Sequence, residues 1–261
     1  MTLYKNEIEV IRPTLVKGVG ALFTERLGGV SSGPWGGPDG IMGMNVGAHV
    51  GDNPSCVQMN RSIVAQMVPS APRWMTQVHG IRTVDAETVT DDTLKADAQT
   101  SLTPGVVCVV QVADCLPVLV AEKNARGVAA IHAGWKGLSL GVIESGVRRL
   151  KERLGDENAE LVAWLGPRIG FDDFECGEDV LAPYRLRYPE VTDGIRLKGE
   201  GKYCLSLAAY ARYALRSVGV TEVQDCGLST VSDPKRFFSF RRDGVKSGRH
   251  AALIWIEEKK A

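Results

Sequence analysis

The stretch Val112–Val120, VADCLPVLV, places Asp114 and Cys115 side by side in an otherwise apolar run. The residues after Cys115, and the run VVCVV before Asp114, have the composition of buried β-strands. Pro117 favours extended backbone in the residue before it and is poorly tolerated inside a sheet. We therefore predict that the chain turns here at a sheet edge, where the Cys115 side chain would lie.

A second polar residue follows an apolar run at AAIHAGWKG, where residues 127–131 form a predicted strand that leads into His132. A helix is predicted at 138–154, because Ile143, Val147 and Leu150 fall on one helical face. Functional side chains often collect where a rigid strand meets a loop. We therefore predict that His132 lies at the rim of a sheet, as Cys115 does.

The remaining pattern predicts a mixed α/β fold, because strands and helices interleave along the chain. Further strands are predicted at 160–165 and 250–256, further helices at about 54–67 and 205–218, and a short helical turn at 232–234. Residues 28–43, GGVSSGPWGGPDGIMG, are rich in turn formers and predict a long surface loop near the site. With no repeat and no low-complexity tract, we interpret residues 1–261 as one domain.

Composition limits the possible function classes. The 31 basic and 31 acidic residues balance, so no strong attraction to nucleic acid or to an anionic membrane is expected. No apolar run is long enough for a membrane-spanning helix, and the N-terminus lacks the pattern of a secretory signal. The six cysteines include no CxxC pair, which predicts free thiols and disfavours a four-cysteine zinc site. We expect a cytoplasmic protein, and the oligomeric state stays open.

The chain has only four histidines, and two of them combine with Cys115 into a possible metal site. His79, Cys115 and His132 are a suitable ligand set for Zn²⁺ with an open fourth position. Their wide spacing leaves two alternatives open. Cys115 could be a buried thiol beside structural histidines, or a nucleophile with a histidine base that Asp114 orients. The other two histidines, His49 and His250, are expected to be structural.

Several residues could contact a substrate. Trp135 could stack on a planar ring such as a purine, and Arg241 in RRDG could bind an anion. The start of the helix at 134–137, with Lys136, is a second candidate anion site. Hydrogen bonds to substrate could come from polar residues in the same turns, namely Asn45, Arg61 and Gln77.

Eleven phrases, in order along the chain from residue 28 to 256, resemble one family. They are GGVSSGP, MNVGAHVGDNP, MNR, TQVHG, KADAQT, VADCLPVLV, AAIHAGWKG, LGPRIG, FECGEDV, SDPKRFFSFRRDG and GRHAALIWI. The family is that of the YfiH/YlmD-like proteins, also described as laccase-like polyphenol oxidoreductases. This chain departs from the family pattern at Cys176, where valine is common, and at Ser206, where aspartate is common.

The resemblance implies a four-layer α/β/β/α sandwich and a zinc site at His79, Cys115 and His132. It implies phosphorolysis of adenosine, inosine, guanosine and methylthioadenosine, together with adenosine deamination, with a nucleoside and inorganic phosphate as partners. Cys115, His132 and Asp114 are then the candidate catalytic residues. Some relatives are implicated in Cys/His amide hydrolysis on a peptidoglycan precursor, which is the alternative function.

A copper-dependent polyphenol oxidase is a weaker interpretation. Four histidines without a His-x-His pair are too few for a multicopper array. A single N/S site could still take adventitious copper, because Cu²⁺ binds most such sites more tightly than Zn²⁺.

Overall fold

Two β-sheets pack face to face at the centre of the protein in a computed structural model that describes residues 8–258. The strands of the described chain are β1 Val10–Ile11, β2 Val19–Thr24, β3 Leu27–Ser31, β4 Thr83–Asp85, β5 Ala98–Ser101, β6 Cys108–Val112, β7 Leu116–Glu122, β8 Val128–Ala133, β9 Leu161–Leu165, β10 Glu175–Cys176, β11 Ile195–Gly199, β12 Lys202–Leu205, β13 Glu222–Asp225 and β14 His250–Ile256. The α-helices of the same range are α1 Pro54–Ala65, α2 Trp135–Leu140, α3 Val142–Leu154, α4 Glu178–Arg187, α5 Leu207–Ser217 and α6 Phe240–Asp243.

The first sheet has the strand order β1-β2-β14-β6 and is antiparallel throughout. The second has the order β13-β9-β7-β8-β5-β4, with parallel pairs only at its two ends. A separate, small third sheet has the order β10-β12-β11 and is antiparallel. Alternate residues of β6 and β14 face the second sheet, because side chains point to opposite faces along a strand.

The predicted four-layer α/β/β/α arrangement is confirmed by how the apolar residues cluster. One cluster lies between the two sheets, and a second joins the outer face of the first sheet to Val64 on α1. The third joins the outer face of the second sheet to α2, α3 and α5. Helices α1, α2, α3 and α5 therefore bury apolar side chains on the outside of a sheet.

The predicted turn at Asp114 is the point where the chain crosses between the sheets. It joins β6 of the first sheet to β7 of the second, and Asp114 itself has a φ of 78°. Pro117, however, lies inside β7 rather than at a break. The Pro117 carbonyl accepts a hydrogen bond from the N–H of Gly166, which lies just beyond the end of β9. The nitrogen of Pro117, which has no hydrogen to donate, therefore faces the point where β9 ends, so the sheet loses little by it.

Other sequence-based boundaries need correction. The predicted helix at 138–154 is two helices, α2 and α3, which are separated at Gly141 by a φ of 99°. His132 lies within β8 and pairs with Pro117, not beyond the strand end. Residues 28–43 begin with part of β3, which bridges to Gly43, and none of them lines the cavity described below.

Two helices were not predicted. α4 has no clear apolar stripe and contains Pro183, and α6 is a single turn that Ser239 caps. At the predicted turn 232–234, the Asp233 carbonyl accepts hydrogen bonds from the N–H groups of Arg236 and Phe237. The six cysteines are free thiols, as the sequence predicted. No helix among residues 8–258 has both the length and the apolar character that a membrane crossing requires.

Candidate metal centre

The structure brings His79, Cys115 and His132 together, although 36 residues separate the first two. Their three ligand atoms all lie within 4.8 Å of one another, and Cys115 Sγ lies 3.6 Å from His79 Nε2. His132 is fixed within β8, Cys115 follows the crossover into β7, and His79 lies in a turn with a φ of 57°. The three side chains thus converge from separate segments on one point.

Asp97, immediately before β5, holds two of these segments in place. Its fully buried carboxylate accepts hydrogen bonds from His132 Nδ1 at 2.9 Å and from the backbone N–H of His79 at 2.9 Å. It also accepts from the backbone N–H groups of Gly80 and Val78, at 2.8 and 3.2 Å. Because Nδ1 of His132 is bound to Asp97, its Nε2 faces the other two ligand atoms.

The charges in this cluster depend strongly on one another. Burial acts to raise the pKa of Cys115, but the positive charge and hydrogen bond of His132, with those of His79, lower it to about 6. Burial acts to lower the pKa of His132, but the Cys115 thiolate and the Asp97 carboxylate raise it to about 9. A thiolate beside an imidazolium is therefore the favoured state at neutral pH without a metal.

The three donors fit zinc. Tetrahedral Zn²⁺ has bonds of about 2.3 Å to sulfur and about 2.05 Å to nitrogen, which places a sulfur and a nitrogen ligand about 3.6 Å apart. The distance between Cys115 Sγ and His79 Nε2 is 3.6 Å. A carboxylate behind a histidine ligand is the usual supporting contact of such sites. The glycine at position 134 provides the space that the His79 and Cys115 side chains need. A Cβ on Gly134 would lie 2.6 Å from His79 Cδ2 and 3.0 Å from Cys115 Sγ.

The cluster lies in the wall of a cavity of about 820 Å³. This volume is within the range of roughly 300–1,000 Å³ that is common for small-molecule sites. Besides the three ligands and Asp114, the lining includes aromatic and apolar side chains and several charged ones, namely Trp135, Ile169, Phe174, Val180, Leu207, Phe240, His49, Arg61, Asp92, Glu175, Asp179, Arg241 and Arg249.

Asp114 lies at this cavity, but its carboxylate is already occupied. It accepts hydrogen bonds from Thr230 Oγ1 at 2.5 Å, from Ser239 Oγ at 3.0 Å and from the backbone N–H of Arg241 at 2.6 Å. These contacts tie the turn before Cys115 to α6 and to the segment before it. The geometry therefore favours a positioning role over the acid–base role expected from the sequence.

Three of the predicted substrate contacts have structural partners instead. Asn45 is fully buried outside the cavity lining, and its amide contacts the backbone N–H groups of Gly47 and Arg249. Gln77 lines the cavity, but its amide exchanges two hydrogen bonds with the backbone of Gln111. Arg61 also lines the cavity and forms an ion pair with Asp92 at 3.1 Å.

Trp135 and Arg241 line the cavity as well, on the side of β10 and α4. Trp135 is half-buried, and its carbonyl accepts a hydrogen bond from Tyr184 at 2.5 Å. The Arg241 guanidinium donates to the carbonyls of Asp173 and Glu175. Lys136 is exposed and does not line the cavity, so the structure does not support the predicted anion site at 134–137.

The two remaining histidines differ. His250 is fully buried, where its Nδ1 contacts the Thr24 carbonyl and its Nε2 accepts from the Phe238 N–H. Burial lowers the pKa of His250 to about 3, so the structural role expected for it is confirmed. His49 is exposed in the cavity, where partial burial and the charges of Arg249 and Arg61 lower its pKa. The structure therefore places His49 at the cavity, and the structural role expected for it stays a prediction.

Comparison with known proteins agrees with this architecture. The family model described as multi-copper polyphenol oxidoreductase laccase matches residues 20–257. A purine nucleoside phosphorylase of Pseudomonas aeruginosa is 38% identical over 92% of this chain and 94% of its own length. The purine nucleoside phosphorylase YfiH of Escherichia coli is 38% identical over 92% and 95%.

Solved structures are similar over most of the chain. A crystal structure of a Neisseria meningitidis protein assigned to the DUF152 family has a TM-score of 0.87 at 38% identity, over 97% of this chain and all of that one. The crystal structure of YlmD from Geobacillus stearothermophilus has a TM-score of 0.82 at 26% identity, over 93% of both chains.

Proposed function

This chain belongs to the YfiH-type family described as multi-copper polyphenol oxidoreductase laccase, and we propose that it is a zinc-dependent purine nucleoside phosphorylase. The observation that carries the proposal is the cluster of His79, Cys115 and His132, supported by Asp97, in the wall of a cavity large enough for a nucleoside. The names of the similar proteins point to the same reaction.

The reaction proposed is attack of a phosphate oxygen on C1′ of the ribose. The C1′–N9 bond breaks, its electron pair passes to N9 of the purine, and a proton neutralises the released base. The products are ribose 1-phosphate and the free purine. We propose adenosine, inosine, guanosine and methylthioadenosine as substrates, and adenosine deamination at C6 as a second activity of the same cavity.

His79, Cys115 and His132 would hold the metal. When bound, zinc supplies a positive charge that polarises water or a substrate oxygen. Asp97 keeps the Nδ1 proton of His132 in place, so that Nε2 stays a ligand, and Trp135 and Phe174 give the purine apolar surface. Asp114 holds the backbone of Arg241 beside the same space.

The laccase description fits the ligands less well. Among residues 8–258 a single group of histidine, cysteine and acidic side chains could hold a metal ion, and it has three members. A multicopper oxidase needs several such centres. Copper at this N/S site would therefore be a substitute for zinc.

The test is product analysis of adenosine incubated with the zinc-loaded protein, with and without inorganic phosphate. We expect adenine and ribose 1-phosphate only with phosphate, and inosine under both conditions from the deamination. Cys115→Ser should abolish both products, whereas Cys226→Ser, a cysteine outside the cavity lining, should retain them. If no purine nucleoside in the wild type yields phosphate-dependent base release, the proposal is wrong.

One observation favours a second candidate, Cys/His amide hydrolysis. Cys115, His132 and Asp97 have the order of a thiolate, a base and an orienting carboxylate, with the Nδ1–Oδ1 contact at 2.9 Å. This alternative predicts cleavage of an amide in a peptidoglycan precursor by the zinc-free protein, with no dependence on phosphate. Alkylation of Cys115 by iodoacetamide should then abolish that cleavage.

A further inference from the structure

Two arginines and a histidine that lie close to one another line one part of the cavity. They are His49, Arg61 and Arg249, and we call them the cationic end. The three come from the loop before α1, from α1 itself and from the residue before β14. Their convergence is a property of the fold, since more than 180 residues separate Arg61 from Arg249 along the chain.

Arg249 is the central group because its charge has no carboxylate partner among residues 8–258 within ion-pair distance. It is half-buried, and burial lowers its pKa. Its Nη1 donates to the carbonyls of Ser247 and Gly248, at 2.8 and 3.0 Å, which leaves Nε and Nη2 for another acceptor. The negative charges of Cys115 and Asp114 act on Arg249 from beyond ion-pair distance and raise its pKa in part. A partly desolvated guanidinium without a direct anionic partner is costly, and a bound anion would supply that partner.

The position of Arg249 is fixed by its neighbours rather than by solvent. Asn45 Oδ1 accepts the backbone N–H of Arg249 and that of Gly47, both at 2.9 Å. A Cβ at Gly47 would lie 2.6 Å from Arg249 Cγ, so the arginine stem packs directly on the glycine. Asn45 and Gly47 thus act as positioning residues for this guanidinium.

Arg61 adds a second guanidinium. It stacks over Trp74 at 4.5 Å, and its Nε donates to the Val46 carbonyl. Its acidic partner Asp92 is 49% exposed and so largely solvated, whereas the Arg61 side chain is 17% exposed. Because Asp92 offsets only Arg61, and because the lowered pKa of His49 favours its neutral form, the excess positive charge of the cationic end is that of Arg249.

The other cavity arginine is less suited to an anion. The Arg241 guanidinium, like that of Arg249, donates to two backbone carbonyls, but the acidic residue Glu175 lies on the same stretch of the lining. The acidic Asp179 is there as well. An anion is therefore favoured at Arg249 over the Arg241 position expected from the sequence.

We propose that His49, Arg61 and Arg249 bind a phosphate dianion. Several guanidinium and imidazole donors from different directions match its tetrahedral oxygens better than a planar carboxylate. The proposal rests on the proposed phosphorolysis, in which this group would be the attacking inorganic phosphate. The 5′-phosphate of a nucleoside monophosphate is the other source of the same chemistry.

The experiment compares Arg249→Met and Gly47→Ala with Arg216→Met, an exposed arginine of α5 outside the cavity. The phosphate KM should rise about ten- to hundredfold in Arg249→Met, as expected for loss of a charge-assisted hydrogen bond. The adenosine KM and the zinc content should change by less than about threefold, because Arg249 is not one of the three metal-site residues and the proposal assigns it to phosphate rather than to the nucleoside. Gly47→Ala should shift the phosphate KM in the same direction without removing charge, and Arg216→Met should match the wild type.

A second measurement separates this proposal from the proposed function. Calorimetric titration with inorganic phosphate should show binding to the wild type and to Arg216→Met but none to Arg249→Met, even if no nucleoside is cleaved. Adenosine monophosphate that competes with phosphate would identify a site shared by both sources, and failure to compete would assign it to free phosphate. Equal phosphate binding, or an equal phosphate KM, in wild type and Arg249→Met would overturn the proposal.

Discussion

Replacement of Asp97 by asparagine should weaken the metal centre while it keeps the shape of the side chain. The carboxylate accepts four hydrogen bonds, two on each oxygen, from His132 Nδ1 and from three backbone N–H groups. An amide offers one acceptor oxygen, so two of the four donors would face an NH₂ group. At about 1–3 kcal/mol for each unsatisfied donor, the unfolding free energy should fall by roughly 2–6 kcal/mol.

The effect on zinc should be separable from this loss of stability. Removing the carboxylate behind a histidine ligand typically lowers metal affinity about 10- to 100-fold, or roughly 1.4–2.7 kcal/mol. The assay is competition for zinc between the protein and a chromophoric chelator. Asp52→Asn is the matched control, because Asp52 is a buried carboxylate with three hydrogen bonds outside the cavity. Zinc affinity equal in the Asp97 variant and the wild type would refute the supporting role of Asp97.

Three further predictions follow from single contacts. Gly134→Ala should lower the amount of zinc bound per chain, because its Cβ would lie 3.0 Å from Cys115 Sγ. Gly199→Ala is the control and should keep the zinc, because a Cβ there has nothing within 4 Å. Equal zinc content in the two variants would contradict the packing argument. In the metal-free protein the rate of Cys115 alkylation should rise with pH around pH 6. His132→Ala should move that rise to higher pH, because it removes the positive charge that lowers the pKa of Cys115. An unchanged pH profile would contradict the coupling between the two residues. The pKa of His250 is about 3 in the folded protein and about 6.5 in the unfolded chain. The neutral, buried His250 therefore contributes its full stability above pH 6.5, and this contribution is lost as the pH falls. Between pH 7 and 4.5 the loss in unfolding free energy should be about 2–3 kcal/mol. Urea unfolding at the two pH values should show a smaller loss for His250→Gln than for the wild type, and an equal loss would exclude this histidine as the cause.

The fold was predictable where the residue pattern is local. The buried strands around Asp114 and the turn between them follow from composition and from the polar step itself. The break of the predicted helix at Gly141 was missed, since glycine occurs inside helices as well as between them. α4 was missed because its apolar residues do not fall on one face. The placement of Pro117 depends on where β9 ends, which is a long-range property.

The site shows the same division. Residue chemistry allowed a metal at His79, Cys115 and His132, but spacing alone could not choose between a ligand, a nucleophile and a buried thiol at Cys115. The family resemblance favoured the ligand. Asp97 was overlooked, although a lone carboxylate between Ala96 and Ala98 in KADAQT was a usable signal. Arg249 had no local signal, because only the tertiary fold places it in the cavity.

The most direct test of the central claim is a zinc titration of the metal-free protein, with phosphate-dependent release of adenine from adenosine measured at each step. The account predicts that activity rises in proportion to added zinc and reaches a plateau at about one zinc per chain, the capacity of a single three-ligand site. It also predicts that His132→Ala shows no such rise. Full phosphorolytic activity in the metal-free protein, with no response to zinc, would contradict it.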